Sequence, residues 1–224
     1  MSTLRFNTWQ NTGGTGSVQV GGTSVSNTIL TVTSANNTSA GIDMLGDLSG
    51  TKGFRIKYEG NGNYFSILDN TSSVLTERFK IDANGYVTKP NQPAFNIKKD
   101  SSETVTSAGG IINFTNALLN TGNHYSTTTG LFTAPVSGVY YFAVKLLTPS
   151  DTTGGDIRLA INGTQNNNYA GYGSTYNGHK QTMITNALYL NANDSVGVVS
   201  YNASQTFYGQ ATHGHSSFAG FLIG

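Results

Sequence analysis

The chain contains no cysteine, only 4 prolines, 1 tryptophan and 3 methionines, and just 10% of its 224 residues are charged. Without cysteine there is no disulfide framework, no thiolate metal site and no cysteine nucleophile. With 12 Lys and Arg against 11 Asp and Glu, the net charge is +1. So small a charge gives no long-range field to hold a polyanion, so nucleic acid is not an expected partner. Apolar runs all fall short of the ~20 residues that cross a bilayer, so membrane insertion is not expected either. Met1–Gln10 lacks the apolar centre of a secretory signal. Polarity comes instead from Asn, Thr, Ser, Gly and Tyr, with 28 Gly and 12 Tyr. That composition starves helices of good formers and favours strands joined by tight turns.

The pattern of what is present agrees with an all-β chain. In Phe54-Arg55-Ile56-Lys57-Tyr58 the apolar side chains fall on one face and the cations on the other, predicting one packed and one wet side. Phe79–Thr88 repeats the alternation around Asn84-Gly85, a pair that tolerates the positive φ of a hairpin turn. Ile157-Arg158-Leu159-Ala160-Ile161 alternates into Asn162-Gly163, and Val139–Leu147, Ala187–Leu190, Val196–Tyr201 and Phe218–Ile223 are short β-rich runs between turn residues. Many short strands at this spacing suggest a sandwich, jelly roll or barrel.

Composition divides the chain into four stretches. Residues 1–28 read as an extended arm, because Thr12–Thr28 carries almost no large apolar group. Residues 29–88 read as a small β-meander of four or five strands, short of bulk for a core of its own. Residues 89–93, Lys-Pro-Asn-Gln-Pro, hold half the prolines and form an extended linker. Residues 94–224 form the larger domain.

Within that larger stretch, Phe114, Asn120, Tyr125 and Phe132 lead into Thr133-Ala134-Pro135-Val136-Ser137-Gly138-Val139-Tyr140-Tyr141-Phe142, and the chain ends near Phe218-Ala219-Gly220-Phe221. These residues and spacings resemble the signature of the complement C1q globular-head family. Physically, Pro135 and Gly138 turn into a strand whose Tyr140 and Phe142 point one way, toward Phe132 and Phe218. Val144 departs from the family, which usually carries an aromatic there. The resemblance implies a ten-stranded jelly roll of the C1q and tumour-necrosis-factor type over 94–224, assembled as a homotrimer and without enzymatic activity as a class. No Gly-X-Y repeat precedes it.

The first half is similar to tailed-bacteriophage fibre and appendage proteins, through Met1–Thr8, Asn11–Gly16 and the Glu77–Val87 hairpin. Together the two resemblances imply a non-enzymatic virion structural protein, a trimeric tail fibre or appendage made in the host cytoplasm. Its arm would meet other virion proteins and its head a host-surface glycan or protein. A capsid or tail decoration protein, or a secreted C1q-like carbohydrate-binding protein, are the alternatives.

Three groups of residues are candidate sites. Tyr169, Tyr172, Tyr176, Asn177 and His179 lie in one polar, Tyr-rich run, where rings can stack on sugar faces while Asn and His bond hydroxyls. The same alternation of tyrosines with small residues also suits half-buried strand residues of a polar sandwich. His213 and His215, at i and i+2, share a face if the segment is a strand, and three copies would offer six nitrogens to a metal ion on a trimer axis. Asp151 and Asp156 flank a flexible turn that lacks the dense oxygen spacing of a calcium loop. His124, beside Tyr125, reads as a structural turn residue. Glu103, Asp151, Asp156 and Asp194 are too scattered to nominate a catalytic pair, and no Gly-Lys-Ser/Thr ending marks a phosphate loop.

Overall fold

The computed structural model describes residues 39–45, 53–71, 74–149, 155–176 and 179–224. The arm expected over 1–28, Asp151 and Asn177 lie outside these residues. The described residues form strands and turns without a helix, and the chain divides into two compact units between Lys89 and Pro90.

The first unit is an antiparallel meander, β1 (Ser39–Leu45), β2 (Gly53–Glu59), β3 (Tyr64–Thr71), β4 (Val74–Ile81) and β5 (Val87–Thr88), paired in sequence order. Its last turn forms because Asp82 acts as a local acceptor. The Asp82 carboxylate takes the backbone N–H of Asn84 and of Tyr86, each at 2.9 Å, and Gly85 supplies the φ of +86°. Register places Ile42, Ile56, Ile67 and Phe79 in one cross-strand row.

The expectation that the Phe54 face packs while the Arg55 face is wet is reversed here. Phe54 is 50% exposed and Tyr58 48% in the single chain, whereas Arg55 and Lys57 are half-buried. Arg55 donates to both carboxylate oxygens of Asp43, at 2.5 and 2.7 Å, and Lys57 pairs with Glu59. The reason is architectural: one sheet can segregate its faces, but its apolar face is buried only where a second layer exists.

The second unit supplies two layers. Its strands are β6 (Ala94–Lys98), β7 (Ser101–Val105), β8 (Asn116–Thr121), β9 (Tyr125–Ser126), β10 (Leu131–Thr133), β11 (Gly138–Pro149), β12 (Ile157–Ile161), β13 (Thr164–Gly171), β14 (Ser174–Tyr176), β15 (His179–Leu190), β16 (Ser195–Ser200), β17 (Gln205–Gln210) and β18 (Ser217–Leu222). The described strands thus exceed the expected ten by the three short segments β9, β10 and β14. One sheet runs β14-β15-β11-β18-β6-β8, the other β13-β12-β16-β10-β9, and β7 pairs with β17 as a ribbon. Alternate residues of β11, namely Tyr140, Phe142, Val144 and Leu146, join Ile157, Leu159, Val196 and Val198 of the facing sheet in one buried cluster.

At its centre Phe95 stacks on Tyr125 and Phe132, with ring centroids 5.3 and 5.0 Å away, and meets Phe218 edge-on at 4.9 Å. Gly220 is required beside these rings: a Cβ there would lie 2.6 Å from Phe142 and 2.8 Å from Phe95. This is the all-β jelly-roll architecture.

Candidate functional site

Most of the signature residues are structural. Phe114, Phe132, Tyr140, Phe142 and Phe218 are fully buried, and Tyr125 nearly so. Burial pushes the Tyr125 hydroxyl well above its ordinary pKa, although it donates to the Phe114 carbonyl. The Asn120 side chain clamps the turn to β9 by donating to the Tyr125 carbonyl at 2.9 Å and accepting the Tyr125 N–H at 3.1 Å. Half-buried His124 lies in the same turn, where its carbonyl accepts from Thr133 N–H. Past half-buried Pro135, the Tyr140 hydroxyl donates to the Val136 carbonyl at 2.8 Å, and Gly138 leaves room for Leu222.

Phe221 differs from the rest. It is 48% exposed on the outward face of the six-stranded sheet, where it meets Tyr141 at 5.5 Å. Alternation with the buried residues of β11 puts Val139 and Tyr141 on that face, and register sets Tyr189 opposite Val139. Tyr189 is 66% exposed, so an apolar patch spans β15, β11 and β18, while Met183, 58% exposed further along β15, faces Lys145 of β11 in register.

The Tyr-rich run is mostly strand, and its candidate residues separate. Tyr169, on β13, is half-buried against the core. Tyr176 lies on β14 opposite His179 in register. His179 belongs to the six-stranded sheet and packs edge-on against Tyr208 at 5.7 Å. There it lines a cleft of about 300 Å³ with Leu147, Gln210 and His215.

His213 and His215 do share a side, their rings parallel and 5.5 Å apart. Each has one nitrogen engaged, His213 Nδ1 with Thr212 and His215 Nε2 with Gln210. Among the described residues no group of three or more His, Cys, Asp or Glu side chains could hold a metal, so within one chain this pair falls short of a metal centre.

Two of the scattered acids have structural partners. Glu103 pairs with the buried Lys99 and accepts from Asn113 N–H, and Asp194 accepts from Asn162 and Asn191. Hydrogen bonding, chiefly from Asn162, holds the Asp194 carboxyl below the usual carboxylate range. Asp156 is half-buried, and its carbonyl accepts from Tyr201 N–H.

Tyr172 leads to residues that the sequence pattern does not flag. Ile157 on β12 pairs with Gly171 on one side and Ser200 on the other, so Tyr172 and Tyr201 are the next residues of the two flanking strands. Both rings lie by Arg158, with centroids 5.1 and 4.2 Å from its guanidinium carbon. Arg158 is 3% exposed, against 68% for Tyr172 and 45% for Tyr201. Its guanidinium donates to the Ile157 carbonyl at 2.9 Å, to Asn167 Oδ1 at 3.3 Å and, at the limit of bonding, to the Tyr172 hydroxyl at 3.5 Å. Alternation marks Arg158 as a wet-face residue. Its burial depends on side chains 14 and 43 positions further along the chain, beyond the reach of any local pattern. The only sequence signal is a lone cation inside an apolar run.

A family model described as "C1q domain" matches residues 94–223. The rat complement C1q tumor necrosis factor-related protein 5 is 46% identical over 55 residues, covering 25% of this chain and 23% of that protein. The match therefore spans under a quarter of that relative. Among solved structures, the globular domain of zebrafish complement 1qA protein is 19% identical, covering 59% of this chain and 98% of that one, with a TM-score of 0.44. Eiger TNF from S. frugiperda is 14% identical, covering 60% and 94%, at 0.49. Murine APRIL is 10% identical, covering 59% and 99%, at 0.44. The family match begins at residue 94, and the resemblance of the first half to phage appendages finds no support in any of these comparisons.

Proposed function

This chain belongs to the C1q domain family, and from that premise we propose that its second unit is a non-enzymatic recognition head that assembles as a homotrimer. The observation that carries this reading is the apolar outward face around Val139, Tyr141, Met183, Tyr189 and Phe221. An exposed apolar surface of this kind on a chain with few charges suits an interface between proteins. Covering it with other copies of the same chain sets three identical loop surfaces side by side, so weak contacts to one repetitive target multiply through effective concentration. A secreted C1q-like binding protein suits the rat relative better than a viral appendage does, and the viral setting rests on the first-half resemblance alone. Light scattering of the full chain is the test, with an expected mass three times the 23.7 kDa of one chain. Tyr189→Asp, on an exposed position, should shift that mass to the monomer while leaving the circular dichroism of the sandwich in place. A wild-type monomer would sink the reading.

A further inference from the structure

We propose that Arg158, Tyr172 and Tyr201 form a binding site for a carboxylate-bearing sugar, an inference that rests on the head being a recognition module. A guanidinium withdrawn from water is costly unless a counter-charge and hydrogen bonds replace its hydration. Arg158 is 3% exposed, yet no carboxylate of the described residues lies within ion-pair distance of it. Half-buried Asp156, two residues earlier, is not paired with it. Its acceptors among the described residues are neutral: one carbonyl, one amide oxygen and a distant phenol. A guanidinium has five N–H donors in a planar fork, so this one keeps donors to spare.

The fork geometry selects the ligand. Two parallel N–H groups match a carboxylate, and charge-assisted bonds to it are stronger than those to neutral oxygens. Tyr172 is 68% exposed and held over the guanidinium by a 3.5 Å contact, so its hydroxyl is the acceptor an incoming carboxylate replaces. The freed ring, with Tyr201 on the other side, then offers an amphipathic face to the body of the ligand, apolar in the ring and polar at the hydroxyl. A sugar acid presents both features, a carboxylate on a ring with apolar C–H faces and polar hydroxyls. The site thus accounts for Tyr172 of the Tyr-rich run and separates it from His179, which belongs to the other sheet.

Calorimetric titration of the full chain with glucuronate and with glucose, with light scattering on the same samples, tests the site. Glucuronate should bind ~10- to 100-fold more tightly than glucose, the range for charged over neutral hydrogen bonds. Tyr172→Ala, at an exposed position, should weaken glucuronate binding several-fold without changing the mass. Arg158→Lys keeps the charge but not the fork, and should cost at least ~10-fold. Equal affinity for the two sugars overturns the proposal, as does binding that emerges only in Asp151→Asn, which would show the guanidinium already neutralised by its own chain. A trimer that binds neither sugar removes this site and leaves the recognition head standing. A monomer that prefers glucuronate would do the reverse.

Discussion

The meander and the sandwich are built from the same kind of strand, with apolar and polar residues alternating, yet among the described residues only the sandwich encloses an apolar core. In residues 39–88 the apolar row through Ile42 and Ile56 is exposed or half-buried, and the polar face is held by Arg55–Asp43, Lys57–Glu59 and Lys80 over the Tyr64 ring. In residues 94–222 the alternating aromatics of two sheets meet across Phe95 and exclude water. Alternation therefore records which face is apolar, while burial depends on whether a second layer faces it. Among the described residues the meander has one layer, so its cohesion there rests on backbone ladders and surface pairs, each worth little, whereas the sandwich concentrates its stability in a few large side chains.

The sharpest way to break this comparison is to truncate one phenylalanine in each unit. Phe218→Ala removes a fully buried ring that touches Phe95, Phe114, Tyr125 and Phe142. It should destabilise the sandwich by ~3–5 kcal/mol, read from urea unfolding followed by tyrosine fluorescence. Phe54→Ala, half-exposed on β2, should cost less than ~1 kcal/mol. Comparable losses at the two positions would mean that the Phe54 face is covered in solution and that the single-layer account of the meander is wrong.

A smaller effect tests the sandwich from the opposite direction, by adding volume. The Cβ of Gly220→Ala would lie within 2.8 Å of two ring atoms of the aromatic cluster, so those rings must shift. The expected cost is ~1–3 kcal/mol. Gly85→Ala in the meander meets no atom within 4 Å, so its cost should come from its φ of +86° and not from crowding. A crystal structure of the Gly220→Ala variant with Phe142 and Phe95 unmoved would contradict the packing account.

How much of this was legible in advance follows the same line. The sandwich was readable because its signature couples local turn chemistry at Pro135 and Gly138 to aromatics two apart on one strand, and the last turn of the meander because Asn84-Gly85 carries its own geometry. The exposure of Phe54 and Tyr58 was not readable, since alternation reports which face is apolar and not whether a second layer covers it. Arg158 was hidden for a related reason. It alternates like a surface residue, and only the register of β13 and β16 brings Tyr172 and Tyr201 over it. Likewise the Tyr-rich run looked continuous, while the fold assigns Tyr169 to one sheet and His179 to the other.

The smallest effect concerns the polar face of the meander. The hydrogen bond from Arg55 is the main cause that holds the Asp43 carboxyl below its ordinary value of 3.8. A carboxylate with a lowered folded pKa stabilises the folded state fully above its unfolded pKa, and that contribution is lost as pH falls through the folded pKa. Above about pH 5 the pair contributes its full share, and the loss belongs to the acid side of pH 4. Both side chains are more than a third exposed, so solvent screens the pair and its contribution stays below ~1 kcal/mol. A carboxyl-carbon NMR titration should place Asp43 below its ordinary value of 3.8, and Arg55→Gln should return it to the ordinary range. The same substitution should leave the unfolding midpoint of the sandwich unchanged at neutral pH, because Arg55 and Asp43 both belong to the first unit and the buried rings of the second are untouched. An Asp43 that titrates normally in the wild type would remove this ion pair from the account of what holds the meander together.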